Sequence, residues 1–346
     1  MKYLISLSFA LFSINALTAQ IPSVSGFTSK QSSDGTSLGA NETISSGGIS
    51  LSNVVKLRGY INFIVHRLDD GSDTFDEDLT YSSGDLDFLF DFSPVTAEIH
   101  LGAEYGFEQV FGRYSATNDF HVTFGRQVTF LGYQNDEWTE RNAVTNAYVG
   151  DAAKLDSSYN SKHYVDGIRL NYNNGMFGFV LGLLDHYGIH NDSDDLDDGM
   201  AIELVASVMI IPGLEARLGF ANENDELSDD DSQQINAWVE WQPNDLTLVL
   251  EYDHYNFSDD FEAWDMMLMA NYQFTDFLGL TLRYSHMEHE FTAGDLDSDR
   301  VTLAVLLSFT DNFDVNLEYS HTSNDSNTIS DGKDDNELYL QGLIHF

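Results

Sequence analysis

The sequence predicts an all-β chain that forms a transmembrane antiparallel up-and-down β-barrel of sixteen strands. Three observations predict this class. From residue 53 to the end, segments of about ten residues alternate between apolar and polar side chains. The connections between them alternate between short turns and longer acidic loops. The last segment runs to the final residue of the chain, where a soluble sheet would be left with an uncovered edge.

The last ten residues are the clearest of these segments. Leu338, Leu340, Gly342, Ile344 and Phe346 form an apolar row, and the residues between them are mostly polar. In a closed barrel this strand pairs with the first one, so no edge remains. The ending resembles the C-terminal signal of Gram-negative outer-membrane proteins, which has a terminal Phe preceded by apolar residues at alternating positions.

The other end of the chain predicts export. After Lys2, residues 3–17 carry no charge, and Thr18-Ala19-Gln20 supplies a small residue for cleavage. This pattern indicates a signal peptide over residues 1–19. Residues 20–52 are rich in Ser, Gly and Thr and predict a flexible periplasmic leader, or alternatively a short plug or tether. The barrel is predicted over residues 53–346.

Composition supports a barrel and excludes other classes. The chain has 15 basic and 57 acidic residues and no Cys, which excludes disulfides, thiol catalysis and Cys-bound metal. No segment reaches the 18 or so consecutive apolar residues that a membrane helix needs. Only a barrel would then satisfy the backbone inside a bilayer.

Sixteen alternating segments are predicted as strands. They span residues 53–66, 84–92, 95–105, 107–116, 119–128, 162–172, 176–187, 199–211, 214–223, 233–242, 246–255, 262–274, 277–288, 299–309, 313–321 and 336–346. At about 3.3 Å per residue and a tilt near 45°, such strands span roughly 25 Å, the height of the apolar band of a membrane barrel.

The connections predict which side each end faces. Pro94, Pro212 and Pro243 lie in tight turns, because proline cannot donate to a strand ladder. The loops at the other ends are longer and acidic, as in 67–83 and 188–198. Short periplasmic turns and longer extracellular loops are the asymmetry of an outer-membrane barrel.

Basic residues are concentrated within the predicted strands. An Arg that faces lipid at mid-membrane costs about 2–4 kcal/mol, so these side chains are expected to face the lumen. Two interpretations remain: a charged, water-filled pore, or wall charges that pair with Glu98, Glu203, Glu215, Glu240, Glu251 and Glu318. The basic residues concerned are Lys56, Arg58, Arg113, Arg126, Arg169, Arg217, Arg283 and Arg300.

The longest inter-strand segment, about 129–161, follows the fifth strand. Long loops of this kind are usually functional or disordered. Its aromatic and apolar side chains favour packing inside the barrel over disorder; they are Tyr133, Trp138, Ala143, Val144, Ala147, Tyr148 and Val149.

At this loop the chain resembles sixteen-stranded diffusion porins. Phe124-Gly125-Arg126-Gln127 at a strand end, followed by a long third loop, looks like the approach to their constriction loop. The resemblance implies lumenal arginines, here Arg126 with Arg113 and Arg169, facing loop acids across the narrowest point. The candidate acids are Asp136, Glu137 and Glu140. With Arg58, Arg217 and Arg283, these are the predicted pore-lining and constriction residues.

A narrower likeness is to OmpL-like barrel porins. It rests on Arg58-Gly59-Tyr60, residues 124–134 and Gly167-Ile168-Arg169-Leu170-Asn171-Tyr172. One conflict concerns Arg126. If Phe124 faces lipid, strict alternation puts Arg126 outside as well, unless a bulge at Gly125 turns it inward.

Histidines recur near the loop ends of strands, as His66, His186, His254, His286 and His321. They could form a rim metal site or the base of a barrel hydrolase. The alternative is an interfacial belt, because Tyr252, Tyr284 and Tyr319 precede three of them by two residues. Repetition on several hairpins favours the belt. The loop acids lack the spacing of a calcium loop, so only loosely bound divalent cations are expected.

The predicted function is passive diffusion of small hydrophilic solutes or ions across an outer membrane, with the 129–161 loop as constriction. No enzyme activity, cofactor, catalytic residue, dedicated metal site or nucleic-acid partner is expected. The class implies membrane lipid, lipopolysaccharide and the barrel assembly machinery as partners, and by analogy a homotrimer. Acidic loops predict a mild cation preference, which the lumenal arginines oppose.

Overall fold

A computed structural model describes residues 48–69, 76–103, 106–133, 141–147, 164–185, 199–225, 231–257, 261–291, 294–326 and 334–346. All the regular elements among these residues are β-strands. The described part of the chain contains no helix long and apolar enough to cross a membrane.

Seventeen strands occur in the described ranges, and the first of them has only two residues. Their bounds are β1 Ile49–Ser50, β2 Val55–Asp69, β3 Asp76–Phe92, β4 Val95–Gly102, β5 Gly106–Ser115, β6 Phe120–Val128, β7 Tyr164–Asn173, β8 Phe177–Leu184, β9 Gly199–Ile211, β10 Leu214–Asp225, β11 Asp231–Trp241, β12 Leu246–Phe257, β13 Phe261–Thr275, β14 Leu278–Phe291, β15 Gly294–Thr310, β16 Phe313–Ser326 and β17 Asp335–His345.

Strands β2 to β17 form a closed antiparallel barrel. Each pairs with the next along the chain, and β17 returns to pair with β2, with Leu340 opposite Val65. The backbones of Gly59 and Phe346 exchange two hydrogen bonds of 3.0 and 3.1 Å, so the last residue completes the ladder. Closure leaves no free edge along these strands. The predicted sixteen-stranded up-and-down barrel is confirmed.

Strand β1 is the end of the predicted leader. Ile49 and Ser50 pair with Leu57 and Lys56 at the start of β2. They lie along the edge of β2 that β17 also pairs with, just past the last residue of β17. The rest of the leader, residues 20–47, lies outside the described residues, and so does the predicted signal peptide, residues 1–19.

The two faces of the wall differ as the alternation predicts. On β2, Ile61, Phe63 and Val65 are exposed while Asn62 is fully buried. On β14, Leu282 is 55% exposed, and the next residue, Arg283, is 0% exposed. Large apolar side chains thus cover the outside, and polar or charged ones face inward. A surface of this kind suits a hydrocarbon solvent.

The strands differ in length around the barrel. Strands β4 to β8 have 8–10 residues, whereas β13 to β16 have 14–17. Pro94, Pro212 and Pro243 all lie between strands, as predicted. The long hairpins extend towards the loop end of the barrel, where several predicted loops are therefore shorter than expected.

Part of the third loop lies inside the lumen of the barrel. The part of the third loop that the structure describes, residues 129–133 and 141–147, is called here the lumenal loop. Phe130 and Leu131 pack with lumenal side chains of β7 to β10, including Val180 and Val205. Tyr133 and Ala147 pack with a second group that contains Trp238, Val249, Met267 and Met269. The predicted packing of this loop inside the barrel is confirmed for its described residues.

Candidate functional site: the lumenal loop and its anchors

The lumenal loop begins where β6 ends, and Glu203 on β9 holds its first residues. The Glu203 carboxylate accepts hydrogen bonds from the Thr129 hydroxyl at 2.6 Å and from the Phe130 backbone N–H at 2.8 Å. Arg169 completes this contact. Its Nε donates to Glu203 at 2.7 Å, its NH1 donates to the Val128 carbonyl at 3.0 Å, and its guanidinium lies 4.9 Å from the Phe130 ring centre.

Two glutamates hold the next turn of the loop. The Tyr133 backbone N–H donates to Glu251 on β12 at 2.6 Å. The Tyr133 hydroxyl donates to Glu240 on β11 at 2.5 Å, and its ring contacts Trp238 edge-on at 5.5 Å. Arg217 stacks on Trp238, with its guanidinium 4.6 Å from the centre of the ring. The contacts of residues 129–133 with the wall therefore extend from β9 to β12.

The second described part of the loop is held on the far wall. Glu318 on β16 accepts hydrogen bonds from the Val144 N–H at 2.5 Å, from the Thr145 N–H at 3.1 Å and from the Thr145 hydroxyl. Arg283 on β14 donates to the Thr145 carbonyl at 2.6 Å and to its hydroxyl at 2.8 Å. The loop therefore reaches from β6 to β16 through the inside of the barrel.

The three carboxylates of Glu203, Glu251 and Glu318, called here the anchor glutamates, satisfy backbone N–H groups that no strand can reach. A buried N–H without an acceptor costs about 1–3 kcal/mol. All three side chains are buried. They fix the course of a loop that has no ladder of its own among the described residues.

Small residues make room for the loop on the wall. A Cβ on Gly219 of β10 would lie 3.0 Å from Cγ of Leu131, so the glycine leaves the space that the leucine fills. Other lumenal positions nearby are also small, including Ala201 and Ala221. The predicted polar lumenal row is apolar in this sector. The signal in the sequence is residues 177–184, which are apolar or glycine at every position.

The structure places five of the predicted arginines on the lumenal face. Arg169 and Arg283 hold the lumenal loop, and Arg217 supports Trp238. Arg58 on β2 and Arg113 on β5 lie in another sector, where Arg58 pairs with Asp87 at 2.6 Å and Arg113 lies over the Phe111 ring at 5.6 Å. Their role as pore-lining groups remains a prediction.

Arg126 is the exception, and its predicted place in the constriction is wrong. Its side chain shares the outer face with exposed Phe124 and pairs with Asp166 at 3.1 Å. The strand register runs through Gly125 without a shift, so no bulge turns Arg126 inward. Gly125 has a φ of 116°, and a Cβ there would lie 2.3 Å from the Val110 carbonyl oxygen. The absence of a side chain at Gly125 therefore allows β6 to lie close to the backbone of β5.

The predicted constriction acids Asp136, Glu137 and Glu140 lie outside the described residues, as do Trp138, Tyr148 and Val149. One of the two interpretations of the sequence paired the wall glutamates with basic residues; these are Glu98, Glu203, Glu215, Glu240, Glu251 and Glu318. Among the described contacts, Glu203 pairs with Arg169 and Glu215 pairs with Arg217. Glu203, Glu240, Glu251 and Glu318 also hold the lumenal loop. Their main contacts are with loop backbone and hydroxyl groups, which alternation alone does not reveal.

The rim histidines do not converge on one site. His254, His286 and His321 lie on the outer face with Tyr252, Tyr284 and Tyr319, as the interfacial-belt interpretation expects. Each has its own polar neighbour: His254 contacts Glu262 at 3.0 Å, and His286 contacts Asp299 at 3.0 Å. His66 instead faces the lumen and stacks on Tyr339 at 4.3 Å. His186 lies outside the described residues.

Comparison with solved structures places this architecture among known folds. No family model matches the chain, and no curated protein matches it in sequence. The outer membrane channel DcaP of Acinetobacter baumannii is 14% identical over 87% of this chain and 100% of its own, with a TM-score of 0.61. An anion-selective porin from Comamonas acidovorans is 12% identical over 84% and 99%, with a TM-score of 0.59.

The trimer form of OmpT, an outer membrane protein of Vibrio cholerae, is 13% identical over 84% of this chain and 99% of its own, with a TM-score of 0.60. At such identities the likeness concerns the fold alone. The narrower likeness to OmpL-like barrel porins is not supported by these comparisons and stays a prediction. The chain has the sixteen-stranded barrel fold of outer-membrane porins.

Proposed function

We propose that this protein is a channel through which small hydrophilic solutes or ions diffuse passively, with the 129–161 loop as its constriction. The observation that carries the proposal is the loop held inside the lumen by the anchor glutamates. A loop fixed across the lumen would narrow the passage to a defined size, whereas a barrel serving only as an anchor has no need of such a loop. Porins and channels among the structural neighbours support the same interpretation.

The proposed site of action is the outer membrane of a Gram-negative bacterium. The apolar outer face would contact membrane lipid and lipopolysaccharide, and the barrel assembly machinery would insert the chain after removal of residues 1–19. Residues 20–52 would remain in the periplasm. A homotrimer is proposed by analogy with the trimer form of OmpT from Vibrio cholerae.

Conductance of the purified protein in planar bilayers tests the proposal. We expect stepwise insertion events of uniform size, and a variant that lacks residues 131–150 should give larger steps because the constriction is gone. A gel shift on boiling would verify that both proteins are folded barrels. Folded protein without any conductance would overturn the proposal and favour a structural or adhesive barrel.

A barrel hydrolase is the remaining alternative. It requires turnover of a lipid or peptide that His254→Ala or His186→Ala abolishes. We expect no such turnover. Conductance and hydrolysis are measured in separate experiments. Conductance without turnover identifies a channel, and turnover without conductance identifies a hydrolase.

A further inference from the structure

The short strand β1 joins the barrel wall at the seam between its last strand and its first. Both β1 and β17 pair antiparallel with β2 along the same edge, so they run in the same direction. Ile49 lies opposite Leu57, and the backbone of Phe346 is hydrogen-bonded to Gly59 just beyond it. In a straight continuation of β1, the chain before Gly48 would therefore meet Phe346.

The leader accordingly leaves the plane of the sheet at Gly48. This residue has a φ of 113°, a conformation that residues with a side chain rarely adopt. A Cβ there would also lie 2.7 Å from the carbonyl oxygen of Leu57. The glycine thus allows a sharp change of direction between the leader and β1. The chain can leave the wall on its outer face or on its lumenal face.

The outer face at the seam is unsuitable for the leader. It carries Ile61 and Ile344, which are 44% and 42% exposed, and the Phe346 ring, which lies against Gly59. This is the face that contacts hydrocarbon. The leader is rich in Ser, Gly and Thr, and its backbone N–H and C=O groups would have no partners there.

The lumenal face at the same seam offers a partly apolar surface. Leu343 on β17 and Ile64 on β2 face inward and are 2% and 7% exposed. Gln341 beside them donates to Asn62 at 3.0 Å and accepts from Asn316 at 2.7 Å. These amides meet part of their hydrogen-bonding capacity along the wall, without water. Asn62, Ile64, Gln341 and Leu343 are called here the seam platform.

Elsewhere in the lumen, apolar wall residues mark the places where chain packs. The two apolar groups that contain Val180 and Met267 lie on β7 to β13, and both contact the lumenal loop. The seam platform belongs to neither group. Because apolar side chains are stabilised when chain and not water covers them, Ile64 and Leu343 favour a covering segment as well.

We propose that the leader turns into the lumen at Gly48 and that Ile44 packs on Leu343 of the seam platform. Ile44 lies four positions before Gly48, and an extended chain covers this separation in about 13 Å. Leu343 lies three positions before Phe346, or about 10 Å along β17. The leader can therefore reach the platform. Its last residues would narrow the periplasmic mouth, and its earlier residues would stay on the periplasmic side of the membrane.

Disulfide cross-linking tests this contact directly, because the chain contains no Cys. The variant with Ile44→Cys and Leu343→Cys should form an intramolecular disulfide when the folded protein is oxidised in detergent. Packed side chains can bring their Cβ atoms to the separation of about 4 Å that the bond needs. Mass spectrometry of the proteolysed, unreduced protein would identify the linked peptides, and reduction should separate them.

The variant with Ile44→Cys and Ile344→Cys is the matched control. Ile344 is the next residue of β17 and lies on the outer face, so little or no disulfide should form with it. A gel shift on boiling would verify that both variants are folded barrels.

Equal yields of disulfide from the two pairs would overturn the proposal, and so would its absence from both. Absence is the result expected if the leader extends freely into the periplasm, or if another part of the third loop covers the platform. Cross-linking does not require conductance, so the proposed docking can fail while the channel proposal stands, and the reverse also holds.

Discussion

At the scale of the residue, the main finding is what the buried wall carboxylates do. Alternation places Glu203, Glu251 and Glu318 inward, and this was predictable from the sequence. Their partners were not, because they lie 73–174 positions away along the chain. Such contacts form only when the barrel closes and the loop enters it. Of these three, Glu203 also forms the predicted pair with an arginine, Arg169.

The Glu318→Ala variant tests the anchoring role. It removes the acceptor of two backbone N–H groups and of the Thr145 hydroxyl in the lumenal loop, and a buried donor left without an acceptor costs about 1–3 kcal/mol. We expect the far end of the lumenal loop to loosen, so that single-channel recordings show noisier current and larger mean conductance than wild type.

Glu215→Ala is the control for this variant. Glu215 also faces the lumen, but its described hydrogen bond is with Arg217 at 3.5 Å and not with backbone N–H groups of the loop. Its conductance should match wild type. Equal effects of the two substitutions would contradict the anchoring role of Glu318.

At the scale of the element, strand positions were predictable and strand ends were not. Strand β15 was predicted from residue 299 and begins at Gly294, and β3 was predicted from residue 84 and begins at Asp76. The added residues of β15 include Asp295, Asp297 and Ser298, so both the inward and the outward row contain polar side chains there. Outside hydrocarbon the outer row no longer has to be apolar, so alternation disappears while backbone pairing continues.

Leu282→Arg tests which face of β14 touches hydrocarbon. Leu282 is exposed on the outer face, and we expect the substitution to lower the free energy of unfolding by about 2–4 kcal/mol, the cost of an arginine near mid-membrane. Urea titration of protein in lipid vesicles measures this change. Ser323→Arg on the long extension of β16 is the control and should have little effect; equal losses would contradict the assignment of the lipid face.

At the scale of the whole molecule, the charge distribution predicts ion preference. The chain has a formal net charge of −42, and much of the acid lies in segments between strands. Fixed negative charge at a pore mouth raises the local concentration of cations within about 8 Å at physiological salt.

We therefore expect a reversal potential of cationic sign across a KCl gradient at low salt. It should shrink when both sides approach 1 M, where the screening length falls to about 3 Å. Anion preference at low salt would show that the lumenal arginines outweigh the loops and would contradict this prediction.

The class of fold, the strand count, the turns and the inward or outward direction of most side chains could be predicted from the order of residues. All of these depend on local alternation and on turn residues, which act over a few positions. Three features emerged from the folded barrel and not from the pattern of residues: Arg126 faces outward, glutamates hold the loop, and Asp85, Asp87 and His100 meet. These depend on strand register and on the path of a loop through a closed barrel, which bring together residues that are far apart in the chain.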